Sequence, residues 1–300
     1  MLAPSSTPAP VWRGELLDWY AATARDLPWR RAEFAADHGA WGTLVSEFML
    51  QQTPVARVIP HLEAWLRRWP TPSAMSNATP AEVVHQWSNL GYPRRALWLH
   101  RAALEIVERH GGVVPRDVPA LLALSGIGEY TARAVAVFHY GERHPVVDTN
   151  TRRVIARAVD GRSQPGPPAK RDLARMAELL PDDVEESTIF NAAMMELGAV
   201  VCTARAPRCE VCPLASGCAW LTAGRPDTGD TRRRQARFEG SDRQARGAVL
   251  RALRTAEDHR RAADEVVADW PDPAQRDRAI DSLIADGLVE AVGGTLMLPR

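Results

Sequence analysis

Four cysteines set the strongest constraint on this chain. Cys202, Cys209, Cys212 and Cys218 follow the spacing Cys-x6-Cys-x2-Cys-x5-Cys within one short stretch. The N-terminal residues 1–10 form a Pro/Ser/Ala tail with neither a basic flank nor an apolar core, so no export signal is read there. No apolar run approaches the roughly 18 residues needed to span a membrane. The chain is therefore expected in the cytoplasm, where thiols stay reduced and a disulfide framework does not explain the cluster. Four clustered thiolates hold either zinc or a [4Fe–4S] cluster. Zinc sites usually draw paired cysteines from two separate knuckles. One loop with unequal gaps suits a compact cubane better, so the spacing favours iron–sulfur and leaves zinc open.

Upstream of the cysteines the periodicity is helical almost throughout. Amphipathic or apolar helices are expected at about 11–24, 43–52, 55–68, 80–88, 94–110, 118–124, 129–140, 170–180 and 185–201, with an irregular segment at 31–40. The alternating pattern of strands is confined to the last fifteen residues, where two apolar runs flank Gly293-Gly294 as in a hairpin. The reading is all-α to about Trp220, followed by a small α/β module that looks winged-helix-like. Residues 1–10 read as a flexible tail. A cysteine-bearing domain is expected from 11–28 with 146–220, and a helical domain from 29–145. A polar linker at 221–244 precedes the module at 245–300.

Three segments carry chemistry. Leu-Ser-Gly126-Ile-Gly128 is a turn between two helices whose N–H groups suit a phosphate cradle, although an ordinary helix corner explains it equally well. Glu47 sits in the apolar run LVSEFML, where burial favours the protonated acid; pairing with a core arginine such as Arg30 is the alternative. Asp148 opens a basic helix, where the helix dipole and Arg152 and Arg153 favour the ionised form and where capping is an ordinary task for aspartate. One protonated and one ionised carboxyl is the arrangement that cleaves a glycosidic bond through a cationic transition state.

Net charge is zero, from 37 basic and 37 acidic residues, which neither demands nor excludes a polyanionic partner. Every basic residue except Lys170 is an arginine. They cluster at Arg94-Arg95, at Arg152-Arg153 with Arg157, and at Arg232-Arg233-Arg234, which suits phosphate recognition or solvated helix faces. Arg205 and Arg208, inside the cysteine loop, are placed to face phosphate.

Taken together, SEFMLQQT at Ser46–Thr53, the glycine turn, VDTN at Val147–Asn150 and the cysteine spacing resemble the helix–hairpin–helix DNA glycosylases of the endonuclease III superfamily. Within them the chain is similar to the adenine DNA glycosylases, the MutY family, over about residues 16–220. The resemblance implies a [4Fe–4S] cluster on the four cysteines. It also implies a monomeric base excision repair enzyme of the bacterial cytosol and nucleoid, acting on double-stranded DNA with 8-oxoguanine:A or G:A mispairs. By the same resemblance Glu47 protonates adenine and later activates water. Asp148 stabilises or captures the sugar cation, Asn150 positions Asp148 or the water, and Tyr130 donates a hydrogen bond near both acids. Trp29 and Arg30 line the adenine pocket, Gln52 and Tyr92 fill or wedge the duplex, and Gly126 and Gly128 hold a phosphate.

An endonuclease III-like glycosylase with lyase activity is the nearest alternative. It resembles this chain in the hairpin but carries a Schiff-base lysine where this chain has Tyr130, and a neutral amine is what attacks the sugar carbon. A non-catalytic DNA-binding iron–sulfur protein is the other alternative; it would have no use for Glu47, Tyr130, Asp148 and Asn150 together. Two departures from the family stand out. Gly91-Tyr92-Pro93 replaces a second tyrosine by proline. The short C-terminal region differs in pattern from the usual Nudix-like domain, so narrower discrimination for 8-oxoguanine is expected.

Overall fold

The computed structural model describes residues 12–227 and 237–300. In chain order its helices are α1 Arg13–Thr23, α2 Ala32–Leu50, α3 Val55–Arg68, α4 Pro72–Ser76, α5 Pro80–Trp87, α6 Arg94–His110 and α7 Val118–Leu122. They continue with α8 Glu129–Phe138, α9 Thr149–Ala158, α10 Lys170–Leu179, α11 Val184–Val200, α12 Ala219–Thr222, α13 Asp242–Thr255 and α14 Pro273–Ala285. The strands are β1 Arg260–Ala262, β2 Glu290–Val292 and β3 Thr295–Met297. Two compact units result. Among the described residues the first comprises 12–31, 116–118 and 128–227; the second comprises 32–115, 119–127 and 237–300.

The first unit is organised around α11, which packs against α1 and α9. Asp183 starts α11 by accepting the Glu186 N–H at 2.8 Å, a side-chain cap for an otherwise orphaned donor. Leu16, Phe190, Met194 and Leu197 are fully buried in its core, and Trp12 stacks on Phe190 with ring centroids 6.3 Å apart. Leu214, Cys218 and Trp220 of the cysteine loop are buried in that same core. The loop is thus folded onto the helices, as its apolar residues demand.

The second unit is centred on α2, whose residues Ala40–Met49 are all buried. A segment apolar on every side has to be central. The amphipathic α3 and α6 pack against it. Trp65 lies edge-on to Trp69 and Trp87, with centroids 4.7 and 5.4 Å apart. Gly111 ends α6 in the left-handed conformation, which glycine adopts without penalty.

The C-terminal residues belong to this second unit. Strand β3 lies between β1 and β2, both antiparallel to it, with Ala291 opposite Leu296. Gly293 and Gly294 both have positive φ (57° and 79°), as the tight hairpin turn requires. Val249, Leu250, Leu253, Leu283, Leu288 and Leu296 form the module's core, and Val84 of α5 is buried in the same cluster.

The structure departs from the pattern reading in three places. Most of 31–40 is helix rather than irregular. Its alanines favour a helix and the break falls on Gly39 alone, with φ 53° and ψ −154°. Strand β1, of sequence Arg-Arg-Ala, carries no apolar alternation and exists because β3 pairs with it. Helix α13 starts at Asp242, inside the expected linker; residues 228–236 of that linker, Arg232–Arg234 and the tail at 1–10 lie outside the described residues.

Candidate active site

In the second unit, Glu47 lies near the C-terminal end of α2 and is 5% exposed. The carbonyls that end this helix are held by Arg95. Its Nη1 donates to the carbonyl oxygens of Phe48 at 2.7 Å, Met49 at 3.1 Å and Gln51, while Nη2 donates to Thr53 Oγ1 at 2.8 Å and the Gly91 carbonyl at 3.0 Å. Burial lowers Arg95 to about 10, and it stays charged at neutral pH. The sequence cluster Arg94-Arg95 was expected to face phosphate or solvent. Arg95 does neither, because it is 3% exposed and spent on backbone carbonyls. One guanidinium thereby ties the Gln52 turn to the Tyr92 turn. Both Gln52 and Tyr92 have positive φ (56° and 47°), a conformation that costs a non-glycine residue and that clusters at functional sites.

The glycine turn is anchored from the same unit. Glu105 accepts both the N–H and the hydroxyl of Ser125, at 2.7 and 2.8 Å, and burial opposed by these bonds and by Arg109 and Arg101 leaves it below its usual range. Gly126 has φ 76°, and a Cβ there would meet Trp98 Cβ at 2.6 Å, so glycine is required twice over. Gly128, extended and in open space, caps α8.

The first unit holds the other acid. Asp148 is the N-cap of α9: its Oδ1 accepts the Thr151 N–H at 2.7 Å and its Oδ2 accepts Asn150 Nδ2 at 2.8 Å. Asn150 Oδ1 accepts from Arg153 Nη2 at 2.7 Å, and Arg153 Nε donates to the Cys202 carbonyl at 2.7 Å. A continuous chain of hydrogen bonds therefore runs from the carboxylate to the first cysteine. Close packing protects it, since a Cβ on Gly198 would lie 2.7 Å from Asn150 Cβ. Arg152, expected to sit over Asp148, instead pairs with Asp172 at 2.7 Å. Tyr130 of α8 packs against Ala134, Val137 and Val146.

Trp29 and Arg30 lie on a single helical turn, Pro28–Arg30. Arg30 pairs with Glu196 at 2.8 Å, and Arg25 pairs with the same carboxylate at 2.6 Å. Glu196 is 1% exposed. Burial alone would raise its pKa, but the hydrogen bonds from Arg25 and Arg30 override that and bring it down to about 2. A carboxyl with a depressed folded pKa contributes stability that is complete above its unfolded value and lost as pH falls through the folded one. Thermal melts should therefore show this contribution intact above about pH 4.5 and vanishing towards pH 2, with Arg30→Ala removing much of it at pH 7. An unchanged melting temperature for that variant at pH 7 would contradict the assignment. No sequence signal marked Glu196, because its partners lie far upstream.

The four cysteines line one pocket with Arg157 and Trp220. Arg157 Nη1 donates to Cys202 Sγ at 3.4 Å, and its guanidinium lies 4.8 Å from the Trp220 ring. Burial pushes the Cys212 thiol up to about 12 and raises Cys209, and a thiol has to give up its proton to ligate a metal. A pocket shared by four sulfurs with a buried cation beside it suits an anionic cluster. Arg208 is exposed, and its Nη2 donates to the Val200 carbonyl at 2.7 Å.

Comparison with known proteins decides the family. Residues 45–180 match the HhH-GPD superfamily base excision DNA repair proteins, and residues 202–218 match the iron-sulfur binding domain of endonuclease III. The adenine DNA glycosylase of Mycolicibacterium smegmatis is 56% identical, over 92% of this chain and 92% of its own length. The chain belongs to the adenine DNA glycosylase family. The human adenine DNA glycosylase is 41% identical over 69% of this chain and 39% of its own length. A solved thermostable thymine-DNA glycosylase superposes with a TM-score of 0.64 at 26% identity, covering 71% of this chain and 96% of that one. This adenine DNA glycosylase family member is thus a DNA repair enzyme of the helix–hairpin–helix fold that binds DNA, and its matched iron–sulfur binding domain spans the four cysteines, consistent with the family's [4Fe–4S] cluster. Among the described residues no helix is long and apolar enough to cross a membrane.

Proposed function

We propose that this chain, a monomer of the bacterial cytosol and nucleoid, hydrolyses the N-glycosidic bond of adenine opposite 8-oxoguanine or guanine, without a dedicated lyase activity. The observation that carries the reading is Asp148, a partly buried carboxylate with both oxygens held, by the Thr151 N–H and by Asn150. Such a group is oriented before a positive charge develops beside it, which is what stabilising a sugar cation requires.

The steps follow from the acids. Adenine is flipped from the stack at a cost of a few kcal/mol, with Gln52 and Tyr92 taking its place or wedging the duplex. Trp29 and Arg30 border the adenine pocket, and the N–H groups of Gly126 and Gly128 hold a backbone phosphate. Glu47 gives its proton to N7. The bond between C1′ and N9 then breaks, its electron pair going to the protonated purine, which leaves as neutral adenine. Asp148 stabilises the oxocarbenium ion at C1′ or forms an ester with it. Water then attacks C1′, and the Glu47 carboxylate takes a proton from it. Tyr130 donates a hydrogen bond near both acids. Cys202, Cys209, Cys212 and Cys218 would hold the cluster, in the loop whose Cys202 carbonyl anchors Arg153.

Lyase chemistry needs a neutral amine at the sugar carbon. The hairpin helix offers the phenol of Tyr130, and Lys170 instead opens α10. A duplex carrying 8-oxoguanine:A, labelled on the adenine strand, should yield a cleaved strand only after alkali treatment. Equal cleavage without alkali would overturn the absence of a lyase step.

A further inference from the structure

Beside the Gln52 and Tyr92 turns the second unit contains a cleft of about 270 Å³. Its lining includes Gln52, Tyr92, Trp98, Arg94 and, from the C-terminal module, Arg246 and Asp286. Tyr92 and Trp98 are large aromatic side chains left 44% and 39% exposed, and Arg94 lies 5.1 Å from the Trp98 ring. Partly exposed aromatic side chains, each with an arginine guanidinium over its ring, suit a stacking platform for a nucleobase. The volume is at the lower end for a small-molecule site, which suits one planar base.

The module's contribution to this cleft is built rather than incidental. Asp286 Oδ1 accepts from Arg94 Nη1 at 3.1 Å, and its Oδ2 accepts from Arg246 Nη2 at 2.6 Å. Arg246 Nη1 is fixed in turn by Ser282 Oγ at 2.6 Å. The module is held to α5 and α6 by the buried cluster of Val84 with Val249, Leu250 and Leu253, and by Arg254 donating to the Ser88 carbonyl. The carboxylate is thus placed beside the wedge residues on a rigid support. It keeps acceptor capacity, since an ionised carboxylate takes about four hydrogen bonds and two are used here.

We infer that Asp286, steadied by Arg94 and Arg246, reads the base opposite the excised adenine and favours 8-oxoguanine over guanine; the inference rests on the proposed function. The discriminating atom is N7. Guanine presents N7 and O6 as acceptors on its major-groove edge. Oxidation at C8 leaves a hydrogen on N7 and so turns that acceptor into a donor. A carboxylate accepts from N7–H and is repelled by the lone pair of an unmodified N7. The arginines beside it donate to O6 or to the new C8 carbonyl, and so bind either base.

The test is single-turnover release of adenine from 8-oxoguanine:A and G:A duplexes by the full chain, its Asp286→Asn variant and its Arg246→Gln variant. The wild-type chain is expected to prefer 8-oxoguanine:A. In Asp286→Asn that preference should shrink about tenfold, because the amide can donate to N7 of guanine and cannot replace the carboxylate's charge. Arg246→Gln should lose preference in the same direction, with melting temperature recorded for both variants. An unchanged preference in Asp286→Asn, with adenine still released, overturns the inference alone. Equal slowing on both duplexes does so too, since it marks a merely structural role. A wild-type chain that releases adenine from neither duplex overturns the proposed function itself.

Discussion

Glu47→Gln should bind a mismatched duplex as tightly as the wild-type chain and release adenine about a thousandfold more slowly, within the roughly 10²–10⁴ range that a positioned general acid supplies. The physical case is specific to this site. Glu47 is 5% exposed on a helix that is buried from Ala40 to Met49. Glutamine keeps the shape and removes the transferable proton. Arg30, the arginine that the sequence offered as a structural partner for this acid, is committed to Glu196 at 2.8 Å. A thousandfold loss corresponds to about 4 kcal/mol of transition-state stabilisation. Single-turnover chemistry measured beside fluorescence anisotropy separates the two effects. Full activity in the variant would remove Glu47 from the mechanism.

The second large effect is expected at Arg153, a residue that touches no substrate in this scheme. Its guanidinium is 5% exposed and donates to Asn150 Oδ1, to the Gly198 carbonyl and to the Cys202 carbonyl. Arg153→Leu leaves those acceptors buried without their donor, at about 1–3 kcal/mol for each group left unsatisfied. Asn150 then loses the partner that orients its amide towards Asp148. Misplacement by about 1 Å is enough to cost roughly a hundredfold in rate. We expect kcat to fall about that far with little change in KM, and a lower iron content per chain. Arg153→Lys should rescue poorly, because an ammonium cannot span the same set of acceptors. A purely structural residue would lower the melting temperature and leave kcat per folded, iron-loaded enzyme unchanged; that result would contradict the positioning role.

Arginine explains most of what the sequence could not show. Arg95, Arg153 and Arg157 are each nearly fully buried and each organise backbone carbonyls contributed by distant segments. In a chain where 36 basic residues are arginines, nothing in local sequence distinguishes these three from arginines on a solvated face. Their roles depend on which carbonyls the fold brings to them. The same holds for Glu196, whose pairing with Arg25 and Arg30 is a property of α11 packing against the N-terminal segment. By contrast, the cysteine loop, the apolar run around Glu47 and the Asp148 cap were legible, because each is a short-range pattern with a short-range cause. The hairpin at Gly293-Gly294 was legible for that reason too, whereas β1 depends wholly on its partner strand. The Arg246–Asp286 pair at the cleft belongs to the long-range class, and only the folded C-terminal module reveals it.

Which base leaves is what separates this enzyme from others of its fold. The solved thymine-DNA glycosylase that superposes on this chain shares its fold, so the fold serves more than one base. The direct measurement is chromatographic identification of the free base released from otherwise identical duplexes carrying adenine, thymine or uracil opposite guanine, and adenine opposite 8-oxoguanine. Adenine alone, released from both of its mispairs and at the higher rate opposite 8-oxoguanine, is the predicted result. Release of thymine or uracil at a rate equal to that of adenine would contradict the account.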